Sequence, residues 1–272
     1  AWDELMPGAI VAELTEDTDS ALLLGVTTGD GLISIGDDVA SVAELLALNE
    51  DVLEGVYPSR TPLDPAEVPV LNAPAAQRVA PKLGIARPKV LIPVFPGTNC
   101  EYDSARAVER AGLEPEILVV NNQSAQGVAD SAARFAKAAR DSQIIFVPGG
   151  FSGGDEPDGS GKFITAFFRN PEVRDATMEL LKNRDGLMLG ICNGFQALIK
   201  LGLVPFGEII DTDETCPTLS YNVIGRHQSR IVHTRVASTN SPWLSRMNVG
   251  DVVNVPISHG EGRFLCSDEL LK

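Results

Sequence analysis

The stretch LMLGICNGFQAL, residues 187–198, decides the fold that this sequence predicts. It opens with an apolar run typical of a buried strand and closes with the apolar spacing of a helix. Between the two, Cys192 stands with Gly190 and Gly194 on either side. This G-x-C-x-G pattern is that of a nucleophile elbow, a sharp strand-to-helix turn, with cysteine in place of serine. We therefore interpret Cys192 as a catalytic nucleophile.

The alternative is that Cys192 packs as a small apolar residue, as many free cysteines do. The glycines favour a nucleophile, because side chains at Gly190 and Gly194 would collide with the strand and helix of a tight turn. A sulfur at a helix N-terminus also lies at the positive end of the peptide dipoles, which favours its thiolate form. Cys100 follows an earlier predicted strand, so we expect it near the site, but it lacks flanking glycines of this kind.

Short apolar runs alternate with helical patterns on the N-terminal side of the elbow. The predicted strands are 90–95, 117–120, 144–147 and 187–191, and the predicted helices are 100–111, 125–140 and 162–183. This alternation predicts an α/β fold with a mostly parallel sheet and helices on both faces. In such sheets the functional residues gather at the carboxyl ends of the strands.

The chain divides into three regions by composition. Residues 1–57 contain strand-like runs at 10–14, 21–26 and 31–35 followed by a helical pattern, which predicts a small α+β fragment. That length is marginal for an independent core, so we interpret it as the C-terminal piece of a larger domain. Residues 58–87 are rich in proline and predict an extended linker. Residues 88–272 form the α/β domain.

Charge and composition exclude several functions. The formal net charge is −15, and no Lys or Arg precedes Arg60. Such a field repels phosphates, so we expect no nucleic-acid and no membrane partner. No apolar run approaches the length of a membrane span. The four cysteines form neither a disulfide framework nor a metal-binding pattern, so we expect no metal site and a cytoplasmic location.

A cysteine nucleophile needs a base and a group that orients the base. Of the three histidines, His259 follows an apolar run and precedes Gly260 and Glu261. Residues two apart on an extended strand share a face, so Glu261 is predicted to hydrogen-bond the His259 ring. The alternative is a turn with an exposed histidine and a solvated glutamate. Together with the elbow, the segment predicts a catalytic base and its orienting acid.

Acyl chemistry also requires donors for a developing oxyanion. The segment PGGFSGGD, residues 148–155, follows the third predicted strand, and its glycines allow backbone N–H groups to face a ligand. A phosphate-binding loop is the competing interpretation, but the segment has neither the G-x-G-x-x-G nor the P-loop pattern. We expect the N–H groups of Gly150 and Asn193 to form the oxyanion hole.

Three further motifs extend the elbow, the glycine segment and the histidine segment into a family resemblance. They are FPGTNCE at 95–101, GFSGGD at 150–155 and SHGEGRF at 258–264. From about residue 88 onward the chain resembles the class I glutamine amidotransferases, and among these the phosphoribosylformylglycinamidine synthases of purine biosynthesis. Residues 1–57 are similar to the end of the synthetase portion in the fused form of that enzyme.

The resemblance implies a function and a set of site residues. It implies that glutamine is hydrolysed through a thioester on Cys192, with His259 and Glu261 completing the triad. The ammonia would serve the ATP-dependent conversion of formylglycinamide ribonucleotide to formylglycinamidine ribonucleotide. The implied partners are glutamine and the synthetase portion, which would bind ATP and magnesium, while this chain needs no cofactor. The residues implied to contact glutamine are Gly150, Phe151, Asn193 and Gln196.

The sequence departs from the family pattern at two places. Family members continue to a Pro-His-Pro-Glu-Arg-like stretch, whereas this sequence stops at Lys272, so we expect the domain to be truncated at its C-terminus. Many relatives carry phenylalanine where His227 stands, which removes His227 from the triad by this mapping. Two alternatives stay open: a cysteine hydrolase with the same elbow, and a catalytically silent docking domain.

Overall fold

The structure is a computed structural model that describes residues 7–16, 18–56, 58, 70, 72–73, 84–151 and 161–271. The chain separates into two compact units, residues 1–63 and residues 64–272. Most of the predicted linker, 58–87, lies outside the described residues. The assignment of the first unit to a larger domain stays a prediction.

The first unit contains a hairpin and a helix. Strands β1 (Leu32–Ile35) and β2 (Asp38–Ser41) pair antiparallel, and α1 (Val42–Glu50) follows directly. The Ser41 hydroxyl accepts a hydrogen bond from the Glu44 N–H and caps the helix. A 3₁₀ turn, Asp51–Leu53, ends the element. The predicted α+β character is therefore confirmed.

Two strands predicted in this unit are wrong. Residues 10–14 and 21–26 form no strand, and the third run contributes β1. A strand requires a neighbouring strand that binds its backbone N–H and C=O groups. In the described part of the unit, no strand pairs with either of these two runs. None of the described residues of this unit is buried, so the described part has no core.

The second unit alternates strands and helices before ending in antiparallel pairs. Its elements are β3 (Lys89–Val94), α2 (Glu101–Arg110), β4 (Glu114–Val119), α3 (Ala125–Asp141), β5 (Ile144–Val147), α4 (Lys162–Phe168), α5 (Pro171–Met178), a π-helical turn (Glu179–Asn183), β6 (Leu187–Gly190), α6 (Asn193–Lys200), α7 (Leu203–Phe206), β7 (Thr218–Ser220), β8 (Gln228–Arg235), a 3₁₀ turn (Pro242–Leu244), β9 (Val252–His259), β10 (Arg263–Leu265) and α8 (Asp268–Leu271).

Four of these strands form a parallel sheet in the order β4-β3-β5-β6. Side chains of β3 alternate between two cores. Leu91 packs in a core built with residues of α3, α4, α5 and α6, whereas Val90 and Ile92 pack in a second core with residues of α2. Helices therefore cover both faces of the sheet, which confirms the predicted α/β fold.

The predicted helix 162–183 is interrupted. It divides into α4, α5 and the π-helical turn, with the break at Arg169 and Asn170. The Asn170 side chain accepts hydrogen bonds from the N–H groups of Glu172 and Val173, and Pro171 occupies the first position of α5. An N-cap residue followed by proline is typical of the start of a new helix. The prediction missed this boundary because it used only the spacing of the apolar residues.

Two antiparallel pairs shape the C-terminal part. Strand β8 pairs with β9 so that Gln228 lies opposite His259, and β7 pairs with β10 so that Ser220 lies opposite Arg263. The loop between β9 and β10 therefore lies beside the residues that follow β7. No helix among the described residues is long and apolar enough to span a membrane.

Candidate active site

The predicted elbow is present between β6 and α6. Strand β6 ends at Gly190, α6 begins at Asn193, and Cys192 is exposed between them. Its backbone has φ 51° and ψ −109°. Among the described non-glycine residues, only Asp185 shares a positive φ with Cys192. Because a side chain is strained in this conformation, the turn holds the sulfur outward at a cost in backbone energy.

The glycines of the elbow are needed for space. A Cβ on Gly194 would lie 2.2 Å from the Val147 carbonyl oxygen, and one on Gly190 would lie 2.7 Å from the carbonyl carbon of Gly194. A Cβ on Gly149 would lie 3.2 Å from the Cβ of Cys192. The end of β5 therefore packs directly against the elbow, which places the glycine segment beside the nucleophile.

Gly150 lies in a backbone conformation that only glycine adopts readily, with φ 132°. A Cβ there would lie 2.3 Å from the Gly97 carbonyl oxygen, which accepts a hydrogen bond from the Phe151 N–H at 2.9 Å. Among the described hydrogen bonds, none uses the Gly150 N–H. The remainder of the predicted segment, 152–155, lies outside the described residues.

The histidine segment approaches the elbow from β9. The Cys192 Sγ lies 3.7 Å from the carbonyl oxygen of Ser258, the residue before His259. The His259 ring packs over Gly262, where an added Cβ would lie 2.1 Å from Cε1. The structure thus brings Cys192 and the His259 segment together across 66 residues of sequence.

A residue that sequence reasoning missed, Asn222, holds the His259 ring. The Asn222 Oδ1 lies 2.9 Å from the His259 Nδ1 and accepts a hydrogen bond from the Gly262 N–H at 3.3 Å. Its Nδ2 donates to the carbonyl oxygens of His259 at 2.7 Å and Arg226 at 2.9 Å. The Asn222 N–H also donates to the Gly260 carbonyl at 2.8 Å. In the sequence, only a turn-forming Asn-x-x-Gly pattern at 222–225 marks this position.

The electrostatic setting of His259 favours its neutral form. Burial lowers the pKa of the His259 ring, and the charge of nearby His227 lowers that pKa further. The His227 Nε2 lies 2.8 Å from the Ser258 Oγ, and its ring centroid lies 6.3 Å from that of Phe151. His227 is therefore part of the surroundings of the site, although it is no predicted triad member.

Glu261 lies in a different geometry from the one predicted. The strand ends at His259, and Gly260 and Glu261 form bends, so strand alternation does not place Glu261 on the face of the His259 ring. The described hydrogen bond at the ring Nδ1 joins it to Asn222 Oδ1. Glu261 is 4% exposed, which is unusual for a carboxylate. Its role as the orienting acid stays a prediction.

Gln196 and Asn193 connect α6 to this segment. The Gln196 Nε2 donates to the Glu261 carbonyl oxygen at 2.8 Å, and the Asn193 Nδ2 donates to the Gln196 Oε1 at 3.0 Å. Both residues are buried, at 6% and 2% exposure. Both ends of the Gln196 amide therefore bind protein groups, and its contact with glutamine stays a prediction.

Cys100 lies near the nucleophile, as expected from the sequence. A Cβ added to Gly149 would lie 3.8 Å from the Cys100 Sγ and 3.2 Å from the Cys192 Cβ, so both cysteines lie beside Gly149. Burial raises the pKa of the Cys100 thiol, with smaller contributions from the charges of Asp103, Cys192 and Glu101. Among the described residues, no group of three His, Cys, Asp or Glu side chains is arranged to hold a metal ion.

Comparison with known proteins adds to this geometry. Residues 87–272 match the model of the CobB/CobQ-like glutamine amidotransferase domain. The phosphoribosylformylglycinamidine synthase subunit PurQ of Methanococcus maripaludis strain S2 is 36% identical over 182 residues, 67% of this chain and 61% of that protein. The PurQ subunit of Sulfurimonas denitrificans is 33% identical over 184 residues, 68% of this chain and 69% of that protein.

One solved structure is also similar. It is PurLQS from Thermotoga maritima, with a TM-score of 0.50 and 26% sequence identity, and the match covers 67% of this chain and 71% of that one. The chain spans about three fifths of the length of the Methanococcus maripaludis relatives.

Proposed function

Because the chain belongs to the CobB/CobQ-like glutamine amidotransferase domain family, we propose that it hydrolyses glutamine to glutamate and ammonia through a thioester on Cys192. The observation that carries the proposal is the Cys192 backbone, with its φ of 51° between β6 and α6. A strained, exposed residue at a strand-to-helix turn is typical of a nucleophile. The nearby His259 segment supplies the base that such a nucleophile needs.

The reaction proceeds in two halves. First, the Cys192 sulfur attacks the side-chain carbonyl carbon of glutamine, a C–S bond forms, and the C–N bond of the amide breaks. The thiol proton passes through His259 to the departing nitrogen, which leaves as ammonia. Next, His259 takes a proton from water, the water oxygen attacks the thioester carbon, and the C–S bond breaks. Glutamate leaves, and the proton returns from His259 to the sulfur.

The surrounding groups stabilise this chemistry. The N–H groups of Gly150 and Asn193 are the proposed donors to the oxyanion that forms on the glutamine carbonyl. Phe151 is 47% exposed beside Gly150 and provides an apolar wall for the substrate. Gln196 affects glutamine binding through the position of Asn193, to which it is hydrogen-bonded. Glu261 is the proposed acid that stabilises the His259 imidazolium.

The ammonia serves a synthetase partner in this proposal. The relatives are named as subunits of phosphoribosylformylglycinamidine synthase, and the similar structure is a PurLQS assembly. The partner would use ATP and magnesium to convert formylglycinamide ribonucleotide to formylglycinamidine ribonucleotide in purine biosynthesis. This chain contributes the glutaminase and, in the proposal, binds no cofactor of its own. Its place of action is the cytoplasm.

A diazo-ketone analogue of glutamine tests the nucleophile and the substrate together. The full chain is treated with the analogue, with and without excess glutamine, and the adduct is mapped by mass spectrometry. We expect one adduct at Cys192 that glutamine suppresses. The same treatment is repeated in the presence of the synthetase partner. Labelling at Cys100, or no labelling at Cys192 in that assembly, would overturn the proposal and leave a docking role.

A further inference from the structure

We propose that Cys100 is a resolving cysteine for Cys192, so that a peroxide converts the pair into a reversible disulfide and switches the nucleophile off. The loss of activity rests on the proposed function, whereas the disulfide itself does not. The two residues come from different strand-to-helix turns, since Cys100 is the N-cap residue of α2 and Cys192 is that of α6. The parallel sheet brings both turns to one edge, where the strands end.

Both cysteines pack against the same side of one glycine. The Cys192 Cβ and the Cys100 Sγ lie 3.2 and 3.8 Å from the position that a Cβ on Gly149 would occupy. The two atoms therefore face the same small space, which stays open because residue 149 has no side chain. Rotation of the Cys100 side chain about its Cα–Cβ bond moves its sulfur through that space towards Cys192.

Neither sulfur is held firmly in its present position. The Cys100 thiol donates a hydrogen bond to the Asn99 Oδ1 at 3.0 Å, and the Cys192 thiol donates to the Ser258 carbonyl oxygen at 3.7 Å. Thiols are weak hydrogen-bond donors, so each contact is lost at small cost. A disulfide requires Cβ atoms about 3.5–4.5 Å apart, and its formation therefore directly tests the packing around Gly149.

The two thiols differ in a way that suits two different roles. Cys192 is exposed, so a small oxidant reaches its sulfur from solvent. Cys100 is half-buried, and burial raises the pKa of its thiol, with further contributions from the charges of Asp103, Cys192 and Glu101. The Cys100 thiol therefore stays protonated and reacts slowly with the oxidant itself. Redox-sensing cysteines are accessible and commonly stand next to a second cysteine that captures their oxidised form.

The disulfide forms in two steps with hydrogen peroxide as the oxidant. First, the Cys192 sulfur attacks one peroxide oxygen, the S–O bond forms, the O–O bond breaks, and the departing hydroxide leaves as water with the Cys192 thiol proton. The sulfur is now a sulfenic acid and has lost two electrons to the peroxide. Next, the Cys100 sulfur attacks the Cys192 sulfur, the S–S bond forms, the S–O bond breaks, and hydroxide leaves as water with the Cys100 proton.

Capture by Cys100 makes the change reversible. A sulfenic acid that stays exposed to peroxide is oxidised further to a sulfinic acid, which thiols do not reduce. A disulfide is instead returned to two thiols by a dithiol reductant through thiol–disulfide exchange. While the disulfide is present, the Cys192 sulfur is bonded to Cys100 and is not free to attack glutamine.

The first test maps the disulfide in the unmutated full chain. The chain is treated with hydrogen peroxide, free thiols are blocked with N-ethylmaleimide, and trypsin is applied without a reductant. Trypsin releases the four cysteines in four different peptides, with Cys100 in residues 90–106 and Cys192 in residues 185–200. We expect mass spectrometry to find these two peptides joined, and dithiothreitol to separate them. Sulfinic acid on Cys192 beside a free Cys100 thiol, or a cross-link to another cysteine, would overturn the proposal.

The second test removes the resolving thiol. After peroxide and then dithiothreitol, we expect at least about 10-fold less free Cys192 thiol in Cys100→Ser than in the unmutated chain. Cys216→Ser is the matched control, because the Cys216 Sγ lies 3.6 Å from the Asp213 Oδ1, and it should recover like the unmutated chain. Melting temperatures of the untreated variants check that they fold. Equal recovery in Cys100→Ser and the unmutated chain would contradict the resolving role.

Glutaminase assays separate this proposal from the proposed function. Peroxide should abolish turnover by the unmutated chain in proportion to the cross-link, and dithiothreitol should restore it. A chain with no turnover before treatment would remove the proposed function, while the mapped disulfide would still support the cysteine pair. Turnover that survives complete cross-linking would remove Cys192 from the role of nucleophile and would overturn the proposed switch.

Discussion

The side-chain amide of Gln196 donates a hydrogen bond to the backbone carbonyl of Glu261 at 2.8 Å. This bond joins the first turn of α6, which begins at the nucleophile, to the loop that follows His259. Since the Asn193 side chain donates to the Gln196 Oε1, the same amide also fixes the residue proposed to donate to the oxyanion. The position of the nucleophile helix and the position of the base segment therefore depend on one buried side chain.

Replacement of Gln196 by leucine should destabilise the domain. Leucine has a similar size but leaves the Glu261 carbonyl and the Asn193 amide without this partner, so we expect the free energy of unfolding to fall by about 1–3 kcal/mol. Urea unfolding measures the change. Gln196→Glu keeps the acceptor for Asn193 but places a buried carboxylate oxygen against the Glu261 carbonyl, so we expect it to be destabilised as well. Equal stability of Gln196→Leu and the unmutated chain would show that this connection is unimportant.

Cys192→Ala and Cys192→Gly should both abolish glutaminase activity, with a loss of at least about 10³-fold. They should differ in stability. Alanine keeps the backbone strain of the positive φ, whereas glycine removes that strain, which is about 1–3 kcal/mol. Glycine also makes the unfolded chain more flexible, and this offsets part of the gain in stability. We expect Cys192→Gly to have the higher melting temperature of the two. Turnover that survives in either variant would remove Cys192 from the role of nucleophile.

Gly260 and Gly262 lie in the loop after His259, and they differ in the space available for a side chain. An added methyl at Gly262 would overlap the His259 ring, at 2.1 Å from Cε1, whereas nothing lies within 4 Å of one at Gly260. We expect Gly262→Ala to displace the ring and lower the rate of Cys192 labelling by at least about 10-fold, since small misplacements of a base are costly. Gly260→Ala should change the rate far less. A similar loss in both variants would contradict the observed packing.

The pH dependence should respond to His227. Its charge lowers the pKa of His259, so His227→Gln should raise that pKa. A base with a higher pKa holds its extra proton to higher pH, so the acid limb of the glutaminase pH profile should move upward. The shift is measured as the midpoint of kcat/KM for glutamine against pH. His233→Gln is the control, because His233 lies opposite Asn254 on the hairpin. A downward shift would contradict the coupling.

Alkylation should distinguish the two neighbouring cysteines. Burial raises the pKa of the Cys100 thiol, so a smaller fraction of that thiol is thiolate at a given pH, whereas the Cys192 side chain is exposed to solvent and reagents. At pH 8 we expect iodoacetamide to modify Cys192 well before Cys100, as followed by peptide mass spectrometry. Cys192→Ala should leave the slow Cys100 reaction in place. Faster modification of Cys100 would contradict the burial of its sulfur.

Family and fold could be read from local sequence. The parallel sheet follows from apolar runs separated by helical patterns, and the family model matches the same region that the motifs indicated. The elbow could also be predicted from local sequence, because the glycines two residues before and after Cys192 are a pattern typical of this turn. Two strand predictions near the N-terminus and one helix prediction were wrong. Strand pairing depends on a partner, and a helix break depends on a cap that apolar periodicity does not report.

The sequence by itself determined which residue types are present for the chemistry: a cysteine between glycines, one histidine in an H-G-E-G segment, and a glycine-rich stretch after a strand. Tertiary structure alone decided how Nδ1 of His259 is held. Asn222 lies 37 residues from His259, and only the pairing of β7 with β10 and the end of β9 bring the two together. A hydrogen bond to a ring requires a donor and acceptor within about 3 Å, which sequence distance does not encode.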